Sequence, residues 1–297
     1  MFHGSLVALV TPMDDESNID YTSLERLIAF HLEQKSDGLV IAGTTGEGAT
    51  LTEEEINKLI HFVVRKVNSR IPVIAGTGAN STHKTIDKTF NAMELGVDGC
   101  LLMTPAYIKP TQEGLYRHFK AISEAVPVPQ ILYNVPSRTA CDMLPETVAR
   151  LAECSNIVGI KEAVKDKARY ERLIELCGNR LSILSGDDGS CKDLILAGGK
   201  GVISVTANVA PQLMHEMIQA ALEGDRAKAD ELEQRLHALH QALGVETNPI
   251  PVKWAVHQLG LIRGGIRLPL TTLSKEHQDT VLQAMELAGV NASLGEI

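Results

Sequence analysis

Short apolar runs alternate with longer stretches of helical period along most of this chain. Residues 5–10, 38–42, 72–75, 99–103, 130–134, 157–161, 181–185 and 201–205 form eight such runs, whose starts fall 20 to 34 residues apart. A brief, nearly continuous apolar run reads as a strand buried on both faces, the form taken in parallel sheets covered by helices. The segments between them carry helix signals. Thr52 followed by Glu55 makes a capping box ahead of an apolar stripe at Ile56, Leu59, Ile60 and Val63. Asn80 or Ser81 opens the next helix, which stops near Leu95-Gly96, and Pro145 suits the first position of another that buries Val148, Leu151 and Ala152.

Eight strand-then-helix units predict an α/β chain closed as a (β/α)8 TIM barrel over residues 1–224, because parallel strands with right-handed crossovers can close at eight. An open doubly wound sheet is the alternative, but no G-x-G-x-x-G follows the first strand to mark a dinucleotide site. Beyond Gly224 the pattern turns purely helical. Residues 225–243, 251–259 and 274–287 predict three amphipathic helices, so 225–297 is expected to form a C-terminal helical region packed on the barrel or used in assembly.

Composition narrows the function. With 44% hydrophobic and 22% charged residues the 297-residue chain is globular, and its formal charge of −9 argues against nucleic acid as a partner. The N-terminal stretch has no basic leader and too short an apolar run for a signal peptide or a membrane span, so a cytoplasmic protein is expected. Five scattered cysteines without C-x-x-C spacing fit reduced thiols. His237 and His240 share a helical face but have no acidic partner in register, and no metal is expected.

Barrel active sites lie at the C-terminal strand ends, which directs attention to the polar residues there. They include Gly43-Thr44-Thr45-Gly46-Glu47, Tyr107, Tyr133, Arg138, Lys161 and Asp187-Asp188. Lys161 closes an apolar run. Strand alternation puts Ile157, Gly159 and Lys161 on one face and Val158, Ile160 and Glu162 on the other, so the first set is expected to point into the barrel. A free lysine is neutral in only about one molecule in 2,500 at pH 7, whereas burial can lower its pKa to roughly 7–8 and make a working nucleophile. Outward pairing with a surface carboxylate is the competing reading. Thr44 and Thr45 can converge on a small anion or form a plain turn, Tyr133 and Tyr107 can relay protons or simply pack, and Arg138 can grip a carboxylate or make a surface ion pair. Asp187-Asp188 most simply caps a helix.

Taken together, Gly43-Thr44-Thr45-Gly46-Glu47, Tyr133-Asn134-Val135-Pro136-Ser137-Arg138-Thr139, Gly159-Ile160-Lys161-Glu162, Gly186-Asp187-Asp188, Gly201-Val202-Ile203-Ser204-Val205 and Asn248-Pro249-Ile250-Pro251-Val252-Lys253-Trp254 are specific in type and order. The chain resembles, over nearly its whole length, the dihydrodipicolinate synthase and N-acetylneuraminate lyase family of pyruvate-dependent class I aldolases. The resemblance implies a Schiff base between Lys161 and pyruvate, with no other cofactor. Tyr133 would carry protons, held by Thr44, with Tyr107 reaching in from a neighbouring subunit. Thr45 would bind the pyruvate carboxylate and the Ile203 carbonyl would face the site. Arg138 favours the synthase branch, in which the second substrate is L-aspartate 4-semialdehyde and the reaction opens diaminopimelate and lysine biosynthesis. Another pyruvate aldolase, or a silent barrel that binds a small carboxylate, stays open. A homotetramer, a dimer of dimers, is implied as well.

Two departures from the family pattern stand out. Lysine-inhibited relatives place histidine, glutamate and a second tyrosine where this chain has Glu53, Ile56, Lys84 and Ala106, which implies weak or absent feedback by L-lysine. Ala140 stands where glycine is usual, and alanine resists positive φ.

Overall fold

A computed structural model describes residues 2–290. Its strands are β1 (Gly4–Ala8), β2 (Gly38–Ile41), β3 (Val73–Gly76), β4 (Gly99–Met103), β5 (Gln130–Asn134), β6 (Ile157–Glu162), β7 (Ser182–Ser185) and β8 (Gly201–Ser204). All pair in parallel and in chain order, and β8 closes on β1 through Gly4↔Gly201 and Leu6↔Ile203. The barrel is therefore complete, and each apolar run carries its strand to within two residues at either end.

Local chemistry sets the helix ends as expected. The Thr52 hydroxyl accepts from Glu55 N at 3.2 Å while Glu55 accepts from Thr52 N at 2.8 Å, which fixes the start of the helix Glu53–Val67. Ser81, rather than Asn80, caps the helix Thr82–Glu94, and Gly96 beyond its end takes φ +88°. Pro145 opens the helix Pro145–Leu151.

Two apolar layers result. Leu6, Val40, Ile74, Leu101, Ile131 and Leu184 fill the barrel, while the outer faces of the strands pack on the helices through residues such as Val7, Leu39, Leu132 and Ile160. One expectation fails at the start of β6. Ile157 belongs to the outer layer and Val158 packs against the inner one, the reverse of simple alternation. The cause is a register shift: Gln130 pairs with Ile157 but Ile131 pairs with Gly159, so Val158 is an extra residue bulged into the strand. Beyond the bulge, alternation resumes, and Lys161 and Glu162 take opposite faces.

After the barrel come the helices Arg226–Ala242, Ile250–Gln258 and Lys275–Leu287, within one residue of the predicted spans. The first buries Leu232, Leu236 and Leu239 and packs between the barrel helix Pro211–Leu222 and Lys275–Leu287. Residues 291–297 of the predicted helical region lie outside the described residues. Cys100, Cys141, Cys154, Cys177 and Cys191 are free thiols. No described helix is long and apolar enough to cross a membrane.

Candidate active site

Lys161 and Glu162 are chain neighbours with opposite surroundings. Glu162 faces outward and is fully buried, accepting from Arg169 Nε at 2.7 Å, Asn134 Nδ2 at 3.1 Å and Val164 N at 2.8 Å. Arg169 also reaches both oxygens of Asp142, at 2.8 and 3.1 Å. The end of β6 is thereby tied to the loop after β5 and to the helix Lys167–Cys177. Lys161 turns the other way. Its Nζ lies 4.5 Å from the centroid of the Tyr133 ring, its register partner on β5, and the residue is 6% exposed. Gly159 is needed beneath it, since a Cβ there would stand 2.9 Å from the Ser182 carbonyl oxygen.

None of the ion pairs among the described residues includes Lys161, although the site holds other charges. Burial holds its pKa down at about 8; the Asp188 charge opposes that shift and the Arg138 charge adds to it. Burial pushes the Tyr133 hydroxyl up, against the pull of the Arg138 charge and of the Thr44 side chain. An amine that sheds its proton near neutrality sits against a phenol that keeps one. That combination suits nucleophilic attack with proton shuttling at one carbon centre.

At the barrel mouth lies a cavity of about 320 Å³, lined in part by Gly43, Thr44, Glu47, Tyr133, Arg138 and Asn248; Lys161 does not line it but lies behind the Tyr133 ring that does. Thr45 is buried beside it, and its hydroxyl accepts from Asn248 Nδ2 at 3.0 Å. Arg138, on the short helix Pro136–Thr139, donates from Nη2 to the Asn248 carbonyl at 3.1 Å. Ala140 ends that helix at φ +54°, ψ +25°, the left-handed conformation that the usual glycine would adopt without strain.

A model described as the dihydrodipicolinate synthetase family matches residues 1–288. The chain belongs to that family. It is 58% identical to the 4-hydroxy-tetrahydrodipicolinate synthase of Alkalilimnicola ehrlichii over 289 residues, which is 97% of this chain and 99% of that protein. Over 285 residues, 96% of this chain and 98% of that protein, it is 56% identical to the enzyme of the same name from Nitrosococcus oceani. Among solved structures, the chloride-inhibited dihydrodipicolinate synthase of Acinetobacter baumannii complexed with pyruvate superposes with a TM-score of 0.97 at 49% identity, covering 98% of this chain and all of that one.

Against this family background, the residues singled out from sequence fall into two groups. Thr44, Thr45, Tyr133, Arg138 and Lys161 converge at the barrel mouth, and the Ile203 side chain joins the inner apolar layer below them. Tyr107 does not join them. It is 88% exposed at φ +72°, and its backbone N–H donates to the Thr139 carbonyl at 3.2 Å. Asp187 caps a turn, accepting from Ser190 N at 3.0 Å, but Asp188 does not. Its carboxylate accepts from Val205 N and Thr206 N, both at 2.9 Å, and so joins the ends of β7 and β8. His240 Nδ1 meets Thr206 Oγ1 at 2.8 Å, and among the described residues no group of three His, Cys, Asp or Glu is arranged to hold a metal.

Sequence reasoning missed the supports of the site. Asn248 and Lys253 lie in the Asn248–Trp254 motif, which stood out without a role, and Arg169 with Asp142 gave no signal at all. Their partners lie 7 to 206 positions away in the chain, and those of Asn248 and Lys253, more than 200 positions off, are beyond the reach of any local pattern.

Proposed function

We propose that the chain condenses pyruvate with L-aspartate 4-semialdehyde to 4-hydroxy-tetrahydrodipicolinate, the first committed step of diaminopimelate and lysine biosynthesis, in the cytoplasm. The buried, unpaired Lys161 against Tyr133, in a chain of this family, is the observation that carries the reading. The neutral amine of Lys161 attacks the pyruvate ketone, and loss of water gives an iminium. Removal of a methyl proton turns the iminium into an enamine, whose carbon attacks the aldehyde of the second substrate. The amino group of that substrate then displaces Lys161 by transimination, closing the ring and freeing the enzyme.

In this scheme Tyr133 moves the protons, oriented by Thr44, and Tyr107 of a neighbouring subunit extends the hydroxyl chain. The outward projection of Tyr107 supports that arrangement within a homotetramer built as a dimer of dimers. Thr45 and nearby backbone amides hold the pyruvate carboxylate, the Ile203 carbonyl faces the reacting centre, and Arg138 takes the carboxylate of the aldehyde. No metal or organic cofactor enters any step. The barrel of residues 1–224 supplies the chemistry, and Asn248, Pro249 and Leu270 of the helical region that follows complete its mouth.

Feedback by L-lysine is weak or absent in this reading. The half-buried Lys88 feels both Glu53 and Lys84, so two positive charges stand together here, which disfavours a cationic effector, and Ala106 offers no aromatic wall. Inhibition by sub-millimolar L-lysine would contradict it. The function itself is tested by a coupled assay with pyruvate, aspartate semialdehyde and the downstream reductase, with sialic acid and sugar acids as alternative substrates. Turnover of the first pair is expected; cleavage of the sugar acids alone would move the chain to the lyase branch, and no turnover of either would leave a binding barrel.

A further inference from the structure

A second buried lysine stands behind the loop that carries Thr44 and Thr45. Lys253, on the helix Ile250–Gln258, is 3% exposed, and its Nζ meets Glu47 Oε1. Glu47 is 2% exposed, and its other oxygen accepts from Arg267 N at 3.1 Å. The backbone of Glu47 closes the loop after β2: its N–H donates to the Thr44 carbonyl at 3.1 Å, and the residue sits at φ +55°, which is strained for any residue with a Cβ. The same C-terminal segment sends Asn248 Nδ2 to the Thr45 hydroxyl at 3.0 Å. Two threonines of the site are thus held from behind by chain that lies about 200 positions later.

Burying an ion pair adds little net stability, because desolvation offsets the attraction, and apolar replacements of similar size are often tolerated. The geometry points to a positioning role: we propose that the Glu47–Lys253 pair sets the conformation of the Thr44–Thr45 loop and so determines pyruvate affinity. Glu47 lines the cavity, but both its carboxylate oxygens are engaged, one by Lys253 Nζ and the other by Arg267 N, and Lys253 does not line it. Glu47 acts through its N–H on Thr44, and Lys253 acts through Glu47. The inference rests on the pyruvate reading above.

The test compares wild type with the double variant Glu47→Gln/Lys253→Met, which removes both charges without leaving one unpaired. Half-saturation of Schiff-base trapping by pyruvate with borohydride, and KM and kcat in the coupled assay, are measured on chains whose thermal unfolding has been recorded. A rise in pyruvate half-saturation and KM of about tenfold to a hundredfold is expected, the scale that a small misplacement of binding groups produces, with a smaller change in kcat. Unchanged half-saturation and KM in a folded variant would overturn the proposal. If the double variant does not fold, Lys253→Arg keeps the charge but changes the reach, and the same two results decide. Failure of wild type to trap pyruvate would instead remove the proposed function, a distinguishable outcome.

Discussion

Lys161 and Lys253 are buried almost equally, at 6% and 3% exposure, yet their surroundings could hardly differ more. Lys253 ends on a carboxylate, and that attraction offsets part of the downward push that burial gives its pKa. Lys161 ends on the face of a tyrosine ring, which attracts a cation weakly and offers it no hydrogen bond. Burial alone therefore does not make a nucleophile. A lysine with a fixed counter-ion stays charged and does structural work, whereas one kept from any counter-ion reaches its neutral form near working pH.

Breaking the paired lysine should give the largest change in stability. Lys253→Met alone strands the buried Glu47 carboxylate and is expected to cost about 3–5 kcal/mol, measured by urea unfolding, where Lys161→Met should cost nothing or even stabilise. Similar losses in both variants would erase the distinction between the two lysines.

Titration sharpens the contrast. Burial lowers Lys161 from 10.5 to about 8, so between those values the unfolded chain binds the proton that the folded chain has released. Stability then rises with pH across that window; below about pH 8 the buried charge is a fixed cost. Relative to Lys161→Met, wild type should gain about 1 kcal/mol per pH unit from pH 8 toward 10.5. The rate of imine formation with pyruvate should climb up to about pH 8 and then level off. A rate flat from pH 6 to 9 would mean that Lys161 is not the titrating amine.

Smaller effects separate the mouth from the floor of the site. Arg138→Lys loses the planar fork and should raise KM for the semialdehyde roughly tenfold while leaving pyruvate trapping intact. If trapping fell with it, Arg138 would serve the first substrate as well. Ala140→Gly removes the strain at φ +54° and should stabilise the chain by roughly 0.5–1 kcal/mol, visible as a raised unfolding midpoint without change in kcat.

Much of this architecture can be read from the chain, because its signals are local. A run such as 130–134 announces a buried parallel strand by composition, and Thr52 with Glu55 announces a helix start by spacing. Lys161 is visible for the same reason, a charge at the end of an apolar run. The inversion of Ile157 and Val158 is not, since a bulge depends on register with the neighbouring strand and two-residue alternation cannot register an extra residue. Nor are Asn248, Lys253 and Arg169 legible as supports. Each is an ordinary polar residue on or near a helix until the fold brings Thr45, Glu47 or Glu162 against it. Asp188 looked like a cap and instead joins two strand ends.

Borohydride reduction in the presence of pyruvate tests the unpaired lysine most directly. The intact protein should gain the mass of one pyruvate less one oxygen atom, the gain should map to the peptide containing Lys161, and Lys161→Ala should abolish it while Lys253→Arg retains it. No gain in wild type, or a gain that survives Lys161→Ala, would contradict the assignment of Lys161 as the Schiff-base nucleophile.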